Sequence, residues 1–192
     1  MCQHAVHFYD DLYPADRVSR FFAEGLEAGD SCLALLTLPH RRAVETCLKA
    51  RGVDTENVAY VAVDTDEVLS QLLVDGRLDM RRASTLLTPL MTPAVRRGVR
   101  RVRAAGDLAP TLCGLGHTDA AVAFEGLVHR VTGEHGASVI CAYPIEAVGG
   151  RWDTGAMLRL SAEHASVEFP ERLWAQRLAP SAPQGAPAVR AR

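Results

Sequence analysis

The chain has 192 residues, 48% of them hydrophobic and 23% charged, with a formal net charge of −2. That length fits one domain, and the apolar fraction excludes a disordered chain. The charge leaves no global field to recruit nucleic acid or an anionic membrane. The five cysteines, Cys2, Cys32, Cys47, Cys113 and Cys141, are scattered with no C-x-x-C spacing. They read as reduced thiols of a cytoplasmic protein. No apolar run reaches the roughly 18 residues that span a bilayer. The opening MCQHAVHFYDD lacks the basic-then-apolar profile of a secretory signal.

In chain order, Ala5–Tyr9 predicts a first strand. An acidic turn follows, Asp10, Asp11, Leu12, Tyr13 and Pro14, with no glycine. Pro14 suits a helix start, where its missing N–H has no intrahelical partner to lose. Val18, Phe21, Phe22 and Leu26 recur at helical spacing to about Ala28, and Gly29 is the expected C-terminal cap. Cys32–Thr37 is nearly all apolar, the mark of a strand covered on both faces. Pro39 opens a second helix, with Ala43, Val44, Cys47 and Leu48 inward and Gly52 at its end. Val58–Val63 predicts the third strand. Asp64 and Glu67 form a capping box for a helix to about Leu73, and Asp75-Gly76 marks a turn.

Met80–Arg97 carries helical periodicity that Pro89 and Pro93 should kink or split. Val99–Ala105 reads as a weaker strand interrupted by arginines. Asp107–Leu115 is ambiguous, because Pro110 argues against an uninterrupted helix. Asp119–Val131 is a helix with Thr118 as its expected cap, and Ala137–Tyr143 is the last strong strand. A helix over Thr154–His164 and a short closing strand at Val167–Phe169 follow. From about Pro180 the Pro/Ala-rich tail has no core-forming pattern. Strands alternating with helices predict an α/β fold, a mostly parallel sheet with helices on both faces.

GLEAGDSCLALLT resembles the first β-α-β unit of RecA/KaiC-type ATPases. In those proteins the first turn is a glycine-rich phosphate loop. Here that turn carries two carboxylates, and Lys49, the only lysine, lies in the next helix. The expected fold is therefore a RecA/KaiC-like three-layer core without a phosphate loop. A narrower resemblance is carried by His4-x-x-x-Phe8-Tyr9, FFAEGLEAGDSCL, KARGVD, LVDGRLD, Gly106-Asp107, Phe124-Glu125, Cys141-Ala142-Tyr143-Pro144 and Ala162-Glu163-His164. Together these resemble the MEDS domain, a sensory domain of methanogen and methylotroph signalling proteins and the DcmR regulator. The resemblance implies a sensory module, residues 1–170, followed by a C-terminal extension, residues 171–192. It implies recognition of a small, hydrocarbon-derived molecule and a separate signalling partner such as a sensor kinase, an anti-sigma-type protein or a transcription regulator. Cys113 and Val128 stand where the family often has tryptophan, which alters the shape of any pocket.

In an open parallel sheet ligands bind outside the carboxyl ends of the strands. Tyr9, Asp10, Thr37, Asp64, Asp107 and Tyr143 fall there. Asp64 also reads as a plain helix cap and Asp10 as a turn residue. His4, Cys141 and His164 belong to the resembling motifs, and Glu125 sits on the apolar side of its helix, where a carboxylate needs a partner. The expected ligand-binding set is His4, Tyr9, Asp107, Glu125, Cys141, Tyr143 and His164, with the pocket at the carboxyl edge. A metal held by His4, Cys141 and His164 with Cys2 is disfavoured, because no pair has close metal-site spacing, and neither metal nor cofactor is expected. His4 and His7, three apart on a strand, should face opposite sides. Arg96, Arg97, Arg100, Arg101 and Arg103 form a basic cluster without interleaved aromatics or a DNA-binding signature. A solvated face is the plainer reading and direct nucleic-acid binding is not expected. Two rival readings remain: a ligand-free docking module, with a second copy of the chain as one candidate partner, and a small hydrolase or transferase using Asp107, Glu125, His164 and Cys141.

Overall fold

A computed structural model describes residues 3–56, 59–92, 100–148 and 154–170. Six strands form one sheet: β1 (Gln3–Tyr9), β2 (Ser31–Leu36), β3 (Tyr60–Asp64), β6 (Val102–Gly106), β7 (Ser138–Pro144) and β8 (Ser166–Glu168). Their order is β3-β2-β6-β7-β1-β8, and every neighbouring pair is parallel. A separate hairpin joins β4 (Leu73–Val74) to β5 (Arg77–Leu78). Its turn is the expected Asp75-Gly76, with φ of 49° and 73°. Positive φ at both positions matches the right-handed twist of a hairpin, and glycine adopts it without steric cost.

The helices divide between the two faces because strand side chains alternate. On one face Cys32, Ala34 and Leu36 of β2, with Ala105 and Ile140, meet Val18 and Phe22 of α1 (Ala15–Glu27) and Val44 and Leu48 of α2 (Leu38–Ala50). On the other, Leu33, Leu35, Ala104, Val139 and Cys141 meet five helices. These are α3 (Thr65–Leu72), α4 (Met80–Met91), α5 (Leu108–Gly114), α6 (Thr118–His135) and α7 (Thr154–Ala162). The result is a three-layer α/β fold. Among the described residues no helix is long and apolar enough to cross a membrane.

Local signals act mostly as expected. The Asp64 side chain accepts from the N–H groups of Asp66 and Glu67 and so caps α3. Gly29, at φ 79°, follows the end of α1 and donates to Leu26. Three expectations need correction: the Thr118 cap, the helix end at Val131 and the break at Pro110. Thr118 is the first residue of α6, not its cap; His117 stands before it and makes no side-chain cap bond. That helix runs on to His135 and is closed by Gly136 in the left-handed region. Pro110 does not break α5, because it lies in the first turn, where no intrahelical N–H bond is lost. Pro89 lies within α4, which reaches Met91. Pro93, Arg96, Arg97 and the tail from 171 lie outside the described residues.

Arg103 belongs to the packing of this fold rather than to a free basic patch. Its guanidinium bonds Asp30 Oδ2 at 2.9 Å and the Phe21 carbonyl at 3.0 Å, and lies 5.1 Å from the Phe21 ring centre. Arg100 and Arg101 are exposed.

Candidate functional site

The parallel pairing of β1 with β7 sets Val6 against Cys141 and Phe8 against Tyr143. With period-2 alternation, His4 on β1 and Cys141 and Tyr143 on β7 then point to the face covered by α6 and α7. Helix α6 adds Glu125, and the residues just after α7 add His164. Glu125 and Tyr143 are wholly buried, His4 and Cys141 nearly so, and His164 is 8% exposed. The Tyr143 hydroxyl donates to Glu125 Oε1. The other carboxylate oxygen, Oε2, lies 3.1 Å from His4 Nε2, 3.5 Å from His164 Nε2 and 3.4 Å from Cys141 Sγ. The two imidazoles lie 4.0 Å apart between ring centres.

Each ring is oriented from behind. His4 Nδ1 lies 3.1 Å from the Glu163 carbonyl, and His164 Nδ1 lies 2.7 Å from the Leu160 carbonyl. A carbonyl only accepts, so both Nδ1 atoms carry a proton and both Nε2 atoms face Glu125. His164 Nε2 is buried and makes no hydrogen bond.

The electrostatics follow from burial. Burial alone would raise the Glu125 carboxyl, but His164 and His4 outweigh it and hold the group below the usual carboxylate range. Burial would lower His164, yet the pull of Glu125 raises it. The Cys141 thiol and the Tyr143 phenol are pushed well up by burial and then by the neighbouring Glu125 charge, so both stay protonated.

Tyr9 and Asp107 belong to a second set, at the carboxyl ends of the strands. The order in which the strands are connected reverses between β2 and β6: α2 leaves toward one face and α5 toward the other. Asp107 stands at that switch. By position it caps α5, yet its carboxylate does not bond its own helix. Asp107 Oδ2 instead accepts from Thr37 N at 2.8 Å, from Thr37 Oγ1 at 3.0 Å, and lies 2.7 Å from His40 Nδ1. Asp107 Oδ1 is buried without a hydrogen bond. Tyr13 stacks on His40 at 3.8 Å, and Tyr9 meets Tyr13 edge-on at 5.8 Å. Burial, then the Asp107 charge, pushes the Tyr9 phenol up to about 12. Tyr13 and His40 were not among the sequence candidates. Their signal was an aromatic in the acidic turn and a histidine in the first turn of the helix that follows a strand. His7, facing the opposite way from His4 as expected, lies 3.4 Å from Glu168 beside Arg17.

Between the sheet and helices α4, α5 and α6 lies a small cavity of about 30 Å³. Leu33, Leu87, Met91, Phe124, Val128 and Val139 give it apolar walls, and Glu125 and Cys141 line one side. The buried cluster therefore adjoins the cavity.

The family of the MEthanogen/methylotroph, DcmR Sensory domain, MEDS, matches residues 3–159. The chain belongs to that family. No curated protein matches it significantly. The match covers all the strands except β8 and all of the cluster except His164.

Proposed function

We propose that this chain is a non-enzymatic sensory module, and that a small hydrocarbon-derived molecule occupies the cavity beside Glu125 and Cys141. The cavity is the observation that carries this reading. One water needs roughly 10–15 Å³ of such space, so about 30 Å³ admits a molecule of only a few heavy atoms. Its apolar walls favour a hydrophobic body, and the Glu125 and Cys141 side offers one polar contact. The sensory character of the family supports the same reading.

The signal leaves through a partner, a sensor kinase or a transcription regulator. Helix α4 forms one wall through Leu87 and Met91, and Pro89 between them removes an N–H from the helix ladder. A ligand that fits the cavity better with α4 displaced shifts the population toward that state, in proportion to its differential affinity. Catalysis is the weaker reading. Cys141 is a buried, protonated thiol, and Asp107 stands in the other set of residues.

The test is a thermal-shift screen of short hydrocarbons, haloalkanes and alcohols, repeated on Ala104→Val. Ala104 lines the cavity on β6, and a β-branched side chain suits a strand while filling the space. A compound should raise Tm in the native protein and not in the variant. If no compound acts, or if the variant responds equally, the cavity is not the ligand site and the docking-module reading replaces this one.

A further inference from the structure

The geometry points to a metal site made by His4, Glu125, Cys141 and His164, suited to zinc or a similar thiophilic divalent ion. Their donor atoms, two Nε2, one Oε2 and one Sγ, all lie within 4.8 Å of one another. Zinc–ligand bonds of about 2.0–2.3 Å place tetrahedral ligands about 3.3–3.8 Å apart. Four of the separations here are 3.1, 3.4, 3.5 and 3.5 Å. A central ion therefore needs adjustments of a few tenths of an ångström for these pairs, and somewhat more where the separation approaches 4.8 Å.

The hydrogen bonds behind the ligands supply an independent observation. Both imidazoles use Nδ1 on backbone carbonyls, of Glu163 and Leu160. That leaves each neutral ring with an Nε2 lone pair aimed at the centre, the usual outer-shell arrangement of a metal-bound histidine. Tyr143 holds the far oxygen of Glu125 in the same way. Without an ion, two neutral rings turn their lone pairs toward the carboxylate, or a ring takes a proton and an ion pair with Glu125 is held in a dry interior. His164 Nε2 is buried and reaches only Glu125 Oε2, at 3.5 Å, longer than an ordinary hydrogen bond.

A divalent ion resolves this conflict. The Cys141 thiol loses its proton to solvent as the metal–sulfur bond forms, and Glu125 is already an anion. Thiolate and carboxylate together neutralise the ion, and the two imidazoles remain neutral. The mixed sulfur, nitrogen and oxygen set disfavours magnesium and calcium, which take oxygen. Sequence spacing argues against a metal held by His4, Cys141 and His164 with Cys2, because no pair is close along the chain, and Glu125 joins the set only through the fold. The β1–β7 pairing and the α6 and α7 layer bring them together.

This inference does not depend on the cavity being a ligand site. It is tested on the full chain by elemental analysis of protein purified without chelator, followed by chelation and titration with Zn²⁺ and Co²⁺. About one metal per chain is expected, with a rise in Tm on reloading. The cobalt form should show a thiolate-to-cobalt band and the intense visible bands of a tetrahedral site. Cys141→Ser should abolish the thiolate band, with circular dichroism confirming its fold. Glu125→Gln should weaken binding at least tenfold. No stoichiometric metal in either preparation, weak octahedral cobalt bands, or a thiolate band that survives in folded Cys141→Ser would each overturn the assignment. The native cobalt spectrum decides the geometry even if both variants misfold.

Discussion

Tyr143→Phe deletes one oxygen from the centre of the buried cluster and changes almost no volume. In the native protein that hydroxyl donates to Glu125 Oε1, and both side chains are wholly buried. Water cannot take its place, so the carboxylate oxygen is left unsatisfied. A hydrogen bond to a charged group contributes about 1.5–3 kcal/mol, and the stranded acceptor puts this one at the upper end. For a domain of roughly 150–250 residues each kcal/mol shifts Tm by about 2–4 °C, so a fall of about 6–12 °C is expected. Calorimetry and urea titration of chelator-treated protein measure it free of any metal contribution. Tyr143→Phe combined with Glu125→Gln should cost less than the sum of the single changes, with a coupling of about 0.5–3 kcal/mol. A fall under about 1 °C, or strict additivity, would refute the view that Glu125 is an ionised carboxylate held by Tyr143.

Gly25→Ala should destabilise the domain by about 1–3 kcal/mol, because its Cβ would stand 2.6 Å from Arg103 Cδ and push that side chain off Asp30 and Phe21. An unchanged urea midpoint would contradict this. All four tyrosines have phenols raised above the ordinary value of 10.0, Tyr9 to about 12, chiefly by burial. Folding thus favours the neutral phenol: the contribution to stability is complete below pH 10 and is lost as pH rises from 10 toward 12. Phenolate absorbance should accordingly appear together with alkaline unfolding, and ionisation near pH 10 in folded protein would speak against it. Among the described cysteines, half-buried Cys47 should alkylate first at mild pH, because burial raises Cys32 to about 12 and Cys113 to about 11. Peptide mapping reads the order, and early labelling of Cys32 would contradict the packing. A fluorescent ATP analogue should show no saturable binding, since β1 leads into an acidic turn without glycine.

The strands of the sheet were legible because Cys32–Thr37 and Ala137–Tyr143 are apolar runs too short for buried helices and rich in signals at their ends. Asp64, Gly29 and Asp75-Gly76 acted locally, so their roles could be read without the fold. Pro110 misled because proline's effect depends on its place in a helix, and that place rests on where β6 ends. The candidate residues could be named, but their grouping could not. Val6 faces Cys141 only through a strand register that no local pattern encodes. The same holds for Asp107, which spans from β6 to Thr37 and His40 instead of capping α5. Tyr13 and His40 were missed because stacking joins a turn to a helix start and leaves no periodicity in the sequence.

Binding of a small ligand in the apolar cavity beside Glu125 and Cys141 is tested most directly by methyl NMR under xenon pressure. Xenon fills small apolar cavities and has no other chemistry to offer. Saturable shifts confined to methyl groups of residues that line the cavity, Leu33, Leu87, Met91, Val128 and Val139, are expected, and their loss in Ala104→Val. Unsaturable shifts, or shifts centred on Leu72 and Leu86 in the groove between α3 and α4, would contradict it.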